Sequence, residues 1–458
     1  MNNSAKMSAR ERIEALVDAN SFVEIGGMIT KRNTDFNMQE KAVPADGVIT
    51  GYGVVEDNLV YVYSQDVTAM NGSVGEMHAK KIASLYEMAI KAGAPVIGLI
   101  DCAGIRVQEA LDALAGFGEI YMAKVKASGI IPQISAILGS CGGGVAISSK
   151  LTDITLIEAE NGRLFVNSPN AIAGNRVEKC DTSSADFQAE AGNVDIVCDG
   201  EAEVFSTIRD LVHILPANAG VAAGISNSDD VNRMLDGFSG YATDAKAALT
   251  QIADDTKFIE LKAGYGKEMV IGLMTLDGTT VGAIANTAEG VLSTAGCKKA
   301  EQFAYFCDSF GLPIITLTNA KEYAATVEEE KTISQAVADM TYAFASADVP
   351  KINVITGEAY GSAYVAMNSK HIGADLCLAL DSAKVGVMDA RVAAQIMCED
   401  EISEAADTKT ALEEKAKEFD ELQKGAEAAG RRGYVDNVIN GDSVRKHLIY
   451  ALQMFGMR

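Results

Sequence analysis

The feature that most constrains this chain is an internal duplication. Lys91-Ala-Gly-Ala-Pro95-Val-Ile-Gly-Leu-Ile-Asp101 is matched by Ser309-Phe-Gly-Leu-Pro313-Ile-Ile-Thr-Leu-Thr-Asn319. In each, an amphipathic helix ends near a glycine, and a proline leads into a short apolar strand. The two prolines stand 218 positions apart. A second pair keeps the same offset: Ile134-Ser-Ala-Ile-Leu-Gly139 before Ser-Cys-Gly-Gly-Gly, and Asn353-Val-Ile-Thr-Gly357 before Glu-Ala-Tyr-Gly-Ser. Two landmarks at one offset point to a domain used twice. Each copy alternates apolar strands with helices such as Lys80 to Lys91 and Lys298 to Ser309, an α/β pattern with a buried sheet. The polar, Ala-rich stretch from Asp236 to Phe258 is the expected junction, giving domains 1–235 and 236–458. Glu401 to Gly430 reads as a long, charged helical region with a solvated face.

Composition excludes several classes. Among 458 residues, 39 Lys and Arg stand against 63 Asp and Glu, a net charge of −24. Such a balance argues against a general nucleic-acid binder, which needs a cationic footprint. No apolar run approaches the ~20 residues of a membrane span, and the start lacks the apolar segment of a signal peptide. The eight Cys form no CxxC pair and suit buried thiols in a reducing cytoplasm. Four scattered His give no basis for a metal site or a His-driven triad.

The chemistry-bearing residues lie in turns. Gly139-Ser-Cys-Gly-Gly-Gly144 follows an apolar strand and precedes a small-residue run. Glycine lets a substrate approach the backbone, and N–H groups at a helix start lack partners. Two such groups can hold the oxygen of an enolate or tetrahedral intermediate; a tight turn packed against a helix is the plainer reading. Gly361-Ser362-Ala363 is the equivalent turn of the second copy. One cradle per copy suits a reaction between two carbonyl partners. In Asp101-Cys-Ala103-Gly104-Ile105-Arg106-Val-Gln-Glu109, Arg106 suits a phosphate or a surface pair with Glu109. Gly72 and Gly75 form a loop at a helix start, and Lys80, Lys81 and His78 are expected on that helix's solvated face.

These residues carry a resemblance. Ser64-Gln-Asp-Val-Thr, Gly72-Ser-Val-Gly-Glu-Met-His-Ala-Lys80, the segment from Asp101 to Glu109 and the run from Gly139 to Gly144 resemble the carboxyltransferase (β) subunits of biotin-dependent acyl-CoA carboxylases and decarboxylases. So do Ala359-Tyr-Gly-Ser-Ala-Tyr-Val-Ala-Met, Ser369-Lys-His-Ile-Gly-Ala-Asp375, Arg432-Gly-Tyr-Val-Asp-Asn-Val-Ile439 and Ala9-Arg-Glu-Arg-Ile. The resemblance implies two crotonase-like domains, each a spiral of ββα units, the first for acyl-CoA and the second for carboxybiotin. It implies that the Gly143 and Gly144 amides hold the thioester oxygen and that those of Ser362 and Ala363 hold the biotin ureido oxygen. Ala103, Gly104, Ile105 and Arg106 then line the CoA site, and Gly361 belongs to the biotin side. The resemblance further implies that the α-proton goes to biotin's own ring nitrogen, so that no side-chain base is needed; no metal is expected.

The expected assembly is a homo-hexamer with sites at dimer interfaces. No Ala-Met-Lys-Met biotinylation motif is present, so biotin carboxylase and carboxyl carrier protein, or membrane decarboxylase subunits, are expected as other chains. Where the family commonly has Gly-Gly-Ala and Pro-Gly-Phe, this chain has Gly361-Ser362-Ala363 and Thr318-Asn-Ala-Lys-Glu-Tyr323. The offset of 218 pairs Gly143 with Gly361, one residue ahead of the family assignment. Val365 replaces a family acidic residue that bears on acyl choice, favouring propionyl-CoA or methylmalonyl-CoA over acetyl-CoA. Three other readings are a sodium-pumping decarboxylase subunit, a non-catalytic partner subunit, and a biotin-independent crotonase-type enzyme using Glu109 or Glu119.

Overall fold

The computed structural model describes residues 6–33, 43, 45–175, 179–221, 225–227, 229–423 and 425–456. The chain divides into two compact units, Met1–Ala223 and Gly224–Arg458, ahead of the junction expected at Asp236. Leu235 and Phe238 pack in the second unit's core, so the polar, Ala-rich stretch begins inside that unit.

In the first unit, strands β1 (Val23–Ile25), β2 (Val48–Val55) and β3 (Asn58–Gln65) form an antiparallel meander. Strands β4 (Val96–Cys102), β5 (Gln133–Gly142), β6 (Ile154–Glu158) and β8 (Ile196–Cys198) then add in parallel, while β7 (Arg163–Phe165) pairs with the end of β5. All seven residues of β4 are buried, as expected for a parallel strand covered on both faces. Helix α1 (Ala9–Leu16) starts with a capping box in which Ser8 and Glu11 exchange hydrogen bonds. Helix α2 (Glu76–Ala92) ends at Gly93, whose N–H returns to Ala89 and Ile90. Helix α3 (Ala110–Ala127) links β4 to β5 and packs on α2.

The second unit repeats this order. Strands β9 (Phe258–Leu261), β10 (Met269–Leu276) and β11 (Thr279–Asn286) are antiparallel. Parallel to β11 follow β13 (Ile314–Ala320), β15 (Lys351–Tyr360), β16 (Leu376–Leu380) and β18 (Asn437–Ile439), with β17 (Lys384–Gly386) on the end of β15. The short pair β12 (Val291–Leu292) and β14 (Glu322–Tyr323) corresponds to a single bridge between Val74 and Ile105. The register carries the duplication. Val96 faces Gln133, and Ile314 faces Lys351. Lys81 and Lys299, also 218 apart, are both buried with the ammonium on backbone carbonyls, of Ala45 and Val48 in one and of Tyr265 in the other. Lys81 therefore does not lie on a solvated face.

His78 is likewise buried, against the expectation of a helix-surface position. Its Nδ1 faces the Asp46 carbonyl at 3.0 Å and its Nε2 the Gln65 carboxamide at 3.2 Å. Burial first, then the nearby Arg106 charge, push its pKa down to about 3. Unfolding therefore releases a ring that takes up a proton below about pH 6.5. The expected result is a stability that falls as pH drops from about 6.5 toward 3, by up to about 1.4 kcal/mol per pH unit from this group. Urea titrations at several pH values check it. His78→Asn should flatten the slope, and an unchanged slope would contradict the assignment.

The region read as one long, charged helical stretch is three helices, Glu399–Glu404, Thr408–Gln423 and Ala426–Arg431. Of the Cys, six are buried, Cys398 is half-buried and Cys180 exposed; none is paired. Among the described residues, no helix is long and apolar enough to cross a membrane.

Candidate active site: one glycine turn in each unit

The first turn joins β5 to helix α4 (Gly144–Lys150). Gly143 stands between them at φ 59 and ψ −124, a backbone region essentially closed to residues with a Cβ. An added Cβ there would meet nothing within 4 Å, so the turn faces open space. Of the two expected donors, the Gly143 N–H is already engaged: it donates to the Phe165 carbonyl at 2.9 Å, extending the β5–β7 ladder. The amides of Gly144 and Val145 head α4, where no intrahelical acceptor exists. Tyr121 Oη donates to the Gly144 carbonyl at 2.7 Å and fixes that first peptide.

Behind the turn, Asp101 at the end of β4 packs so close to Gly139 that a Cβ there would collide with its carboxylate. The Asp101 Oδ1 accepts the Ser140 N–H at 3.3 Å. Its Oδ2 pairs with buried Arg12 at 3.1 Å and with Lys6 at 2.6 Å. The loop from Ala103 to Arg106 runs beside Ser73–Gly75: the Val74 N–H donates to the Gly104 carbonyl and the Arg106 N–H to that of Val74, both at 2.9 Å. Ala103 and Ile105 are exposed and available to line a ligand.

Arg106 is not. Its side chain is fully buried, paired with Asp46 and, at 2.8 Å, with Glu109, and it donates to the Ser73 carbonyl at 2.8 Å. The pairing with Glu109 foreseen for a surface arginine occurs in the interior, and the guanidinium has no free face for a CoA phosphate. Two carboxylates, two backbone carbonyls and the Ser73 hydroxyl bond it there, as a buried charge requires. Glu109 in turn accepts the Glu76 N–H at 2.6 Å, capping α2, so it is no acyl-directed base. Glu119 is exposed, and Lys80 is exposed and pairs with Glu76 at 2.7 Å.

The second turn joins β15 to the helix Gly361–Ala366. The left-handed glycine here is Gly361, at φ 56. Gly361 thus stands where Gly143 does, Ser362 where Gly144 does and Ala363 where Val145 does. Asn319 takes the place of Asp101: its Oδ1 accepts the Glu358 N–H at 2.8 Å, and a Cβ on Gly357 would collide with it. A cavity of about 520 Å³ opens over this turn, with Tyr323, Tyr360, Gly361, Ser362, Ala363 and Asp389 in its wall. Tyr360 donates to Glu358 at 3.1 Å, and burial with this carboxylate raises the phenol pKa far above its usual range. Val365 lies on the outer face of this helix, about a third exposed.

Sequence reasoning missed Tyr323, Glu358 and the Asp101–Asn319 pair. The last was within reach, since both stand at the offset of 218. Among the described residues, no group of three His, Cys, Asp or Glu is placed to hold a metal ion.

The family model for the carboxyl transferase domain matches residues 2–456. The propionyl-CoA carboxylase beta chain of Roseobacter denitrificans is 35% identical, over 97% of this chain and 90% of its own length. The methylmalonyl-CoA decarboxylase subunit alpha of Propionigenium modestum is 35% identical, over 98% of this chain and 90% of its own. Among solved structures, the transcarboxylase 12S hexamer with methylmalonyl-coenzyme A and methylmalonic acid bound superposes with a TM-score of 0.94, at 33% identity, covering 99% of this chain and 90% of that one. The duplicated sheets and the helices between them are the two crotonase-like domains expected from the sequence. The chain belongs to the carboxyl transferase domain family, the carboxyltransferases of biotin-dependent acyl-CoA carboxylases.

Proposed function

We propose that this protein moves a carboxyl group between carboxybiotin and the α-carbon of a short-chain acyl-CoA, of the propionyl-CoA/methylmalonyl-CoA type. The observation that carries this is the pair of matching turns, each setting helix-start amides beside a glycine at φ near +60°. An acyl thioester losing its α-proton and a ureido ring losing its carboxyl group both gather charge on an oxygen. Fixed N–H groups stabilise that charge without reorganising. The first turn, where Gly143 sets the peptide that presents the Gly144 N–H and the Gly143 N–H itself stays on Phe165, takes the thioester oxygen, beside exposed Ala103 and Ile105. The second, with Gly361, Ser362 and Ala363, takes the biotin head, whose ureido oxygen needs donors only and whose ring the cavity of about 520 Å³ accommodates. Carboxybiotin supplies the carboxyl group and, once that has left, the ring nitrogen that accepts the α-proton.

Biotin is held on a separate carrier protein charged by a biotin carboxylase, and the working form is a homo-oligomer, a hexamer as in that transcarboxylase, acting in the cytoplasm. The first domain serves acyl-CoA and the second biotin. The test incubates the purified protein with methylmalonyl-CoA or malonyl-CoA and free biotin or biotinylated carrier. Carboxyl transfer to biotin, faster from methylmalonyl-CoA, is the expected result. Hydration of an enoyl-CoA without biotin, or no transfer to either acceptor, would overturn the proposal. Val365→Asp is expected to shift the ratio of kcat/KM toward malonyl-CoA by about tenfold; an unchanged ratio would remove Val365 from the specificity assignment.

A further inference from the structure

The two turns share a backbone but not their equipment. Tyr323 Oη donates to Ser362 Oγ at 3.0 Å, and both residues line the cavity over the second turn. Their counterparts in the first unit are Ile105 and Gly144: Val74 bridges to Ile105 as Leu292 pairs with Tyr323, and each step is 218 residues. Neither counterpart carries a hydroxyl. The two hydroxyls therefore occur together, at positions 39 residues apart in sequence, in one copy of a duplicated scaffold.

We propose that Ser362 and Tyr323 form a hydroxyl relay that adds a side-chain donor to the second cradle, Ser362 contacting the ureido oxygen of the biotin head and Tyr323 positioning it. This rests on the carboxyltransferase reading and deepens it. With the tyrosyl O–H donated to the seryl oxygen, the seryl hydrogen is left to point at an acceptor in the cavity. The incoming bond polarises that hydrogen, which strengthens it as a donor to an oxygen gaining charge. Burial raises the Tyr323 pKa above its ordinary value, so the phenol keeps its proton at neutral pH.

The test uses the full chain with free biotin as probe, read in two ways: kcat for transfer from methylmalonyl-CoA, and biotin binding by calorimetry. Tyr323→Phe and Ser362→Gly are each expected to lower kcat by about tenfold and to weaken biotin binding by less, with the KM for acyl-CoA unchanged. The double variant should lose no more than Ser362→Gly alone, because Tyr323 acts through Ser362. Ser362→Thr, which restores a hydroxyl, should recover most of the rate. Single variants within about twofold of wild type, or losses that multiply in the double variant, would overturn the relay. Wild-type protein that neither binds biotin nor transfers to it would instead overturn the functional reading, and the relay with it.

Discussion

Gly143→Ala is expected to lower carboxyl transfer by about two to three orders of magnitude while leaving the protein folded. At φ 59 and ψ −124, Gly143 sits where an L side chain is strained by about 1–3 kcal/mol. No atom beyond the adjoining residues lies within 4 Å of the added methyl group, so nothing packed against the turn resists it. The backbone relieves the strain by rotating, and that rotation swings the Gly143–Gly144 peptide whose N–H the mechanism uses. Loss of one such donor costs about 3 kcal/mol in transition-state stabilisation. Steady-state kinetics should show a collapse of kcat with a thermal midpoint lowered by only a few degrees. A variant with normal kcat would remove the first turn from the mechanism. Proline is a poorer probe here, because it also breaks the ladder bond from the Gly143 N–H to Phe165.

The largest stability effect is expected at Arg106. Arg106→Met removes the cation between two buried carboxylates, and breaking such a pair costs about 3–5 kcal/mol. Burial already raises the Asp46 pKa, and the Arg106 charge and hydrogen bond hold it down. Without Arg106 the carboxyl rises further above its unfolded value. Folding the variant then takes up protons, so its stability is retained at low pH and lost as pH rises through the new pKa. Urea midpoints should therefore show a larger deficit at pH 8 than at pH 5. The competing assignment, a phosphate contact, predicts the reverse pattern: normal stability and a raised KM for CoA substrates.

What the sequence shows and what it hides follow from physics. The alternation of strands and helices, the duplication and the two turns were legible because they are written in local patterns. A proline ahead of an apolar run and a glycine at a strand end leave marks in the chain itself. The fate of Arg106, His78 and Lys81 was not legible. A charged residue next to Gly and Asp reads as surface, and only the fold shows that Asp46 lies 60 residues away in sequence yet against the Arg106 guanidinium. The bond between Tyr323 and Ser362 was hidden for the same reason, since it joins the end of β14 to the helix after β15, 39 residues on. The register of the second turn was half-visible. The offset of 218 gave Gly361 as the counterpart of Gly143, and the shared positive φ places both there; Ser362 then aligns with Gly144, while the helix of the second turn already begins at Gly361. The family assignment of Ser362 and Ala363 as donors differs from this by one residue, and the biotin-side kinetics of Ser362 variants bear on it.

In the proposed mechanism, two separate oxyanion cradles serve one carboxyl transfer. The most direct measurement follows labelled carboxyl from methylmalonyl-CoA to biotin in wild type, Gly143→Ala and Gly361→Ala. Robust transfer is expected in the wild type and a loss of about 100-fold or more in each variant, with acyl-CoA binding retained in Gly361→Ala and biotin binding retained in Gly143→Ala. Transfer at the wild-type rate in either variant, or its absence from the wild type, would contradict it.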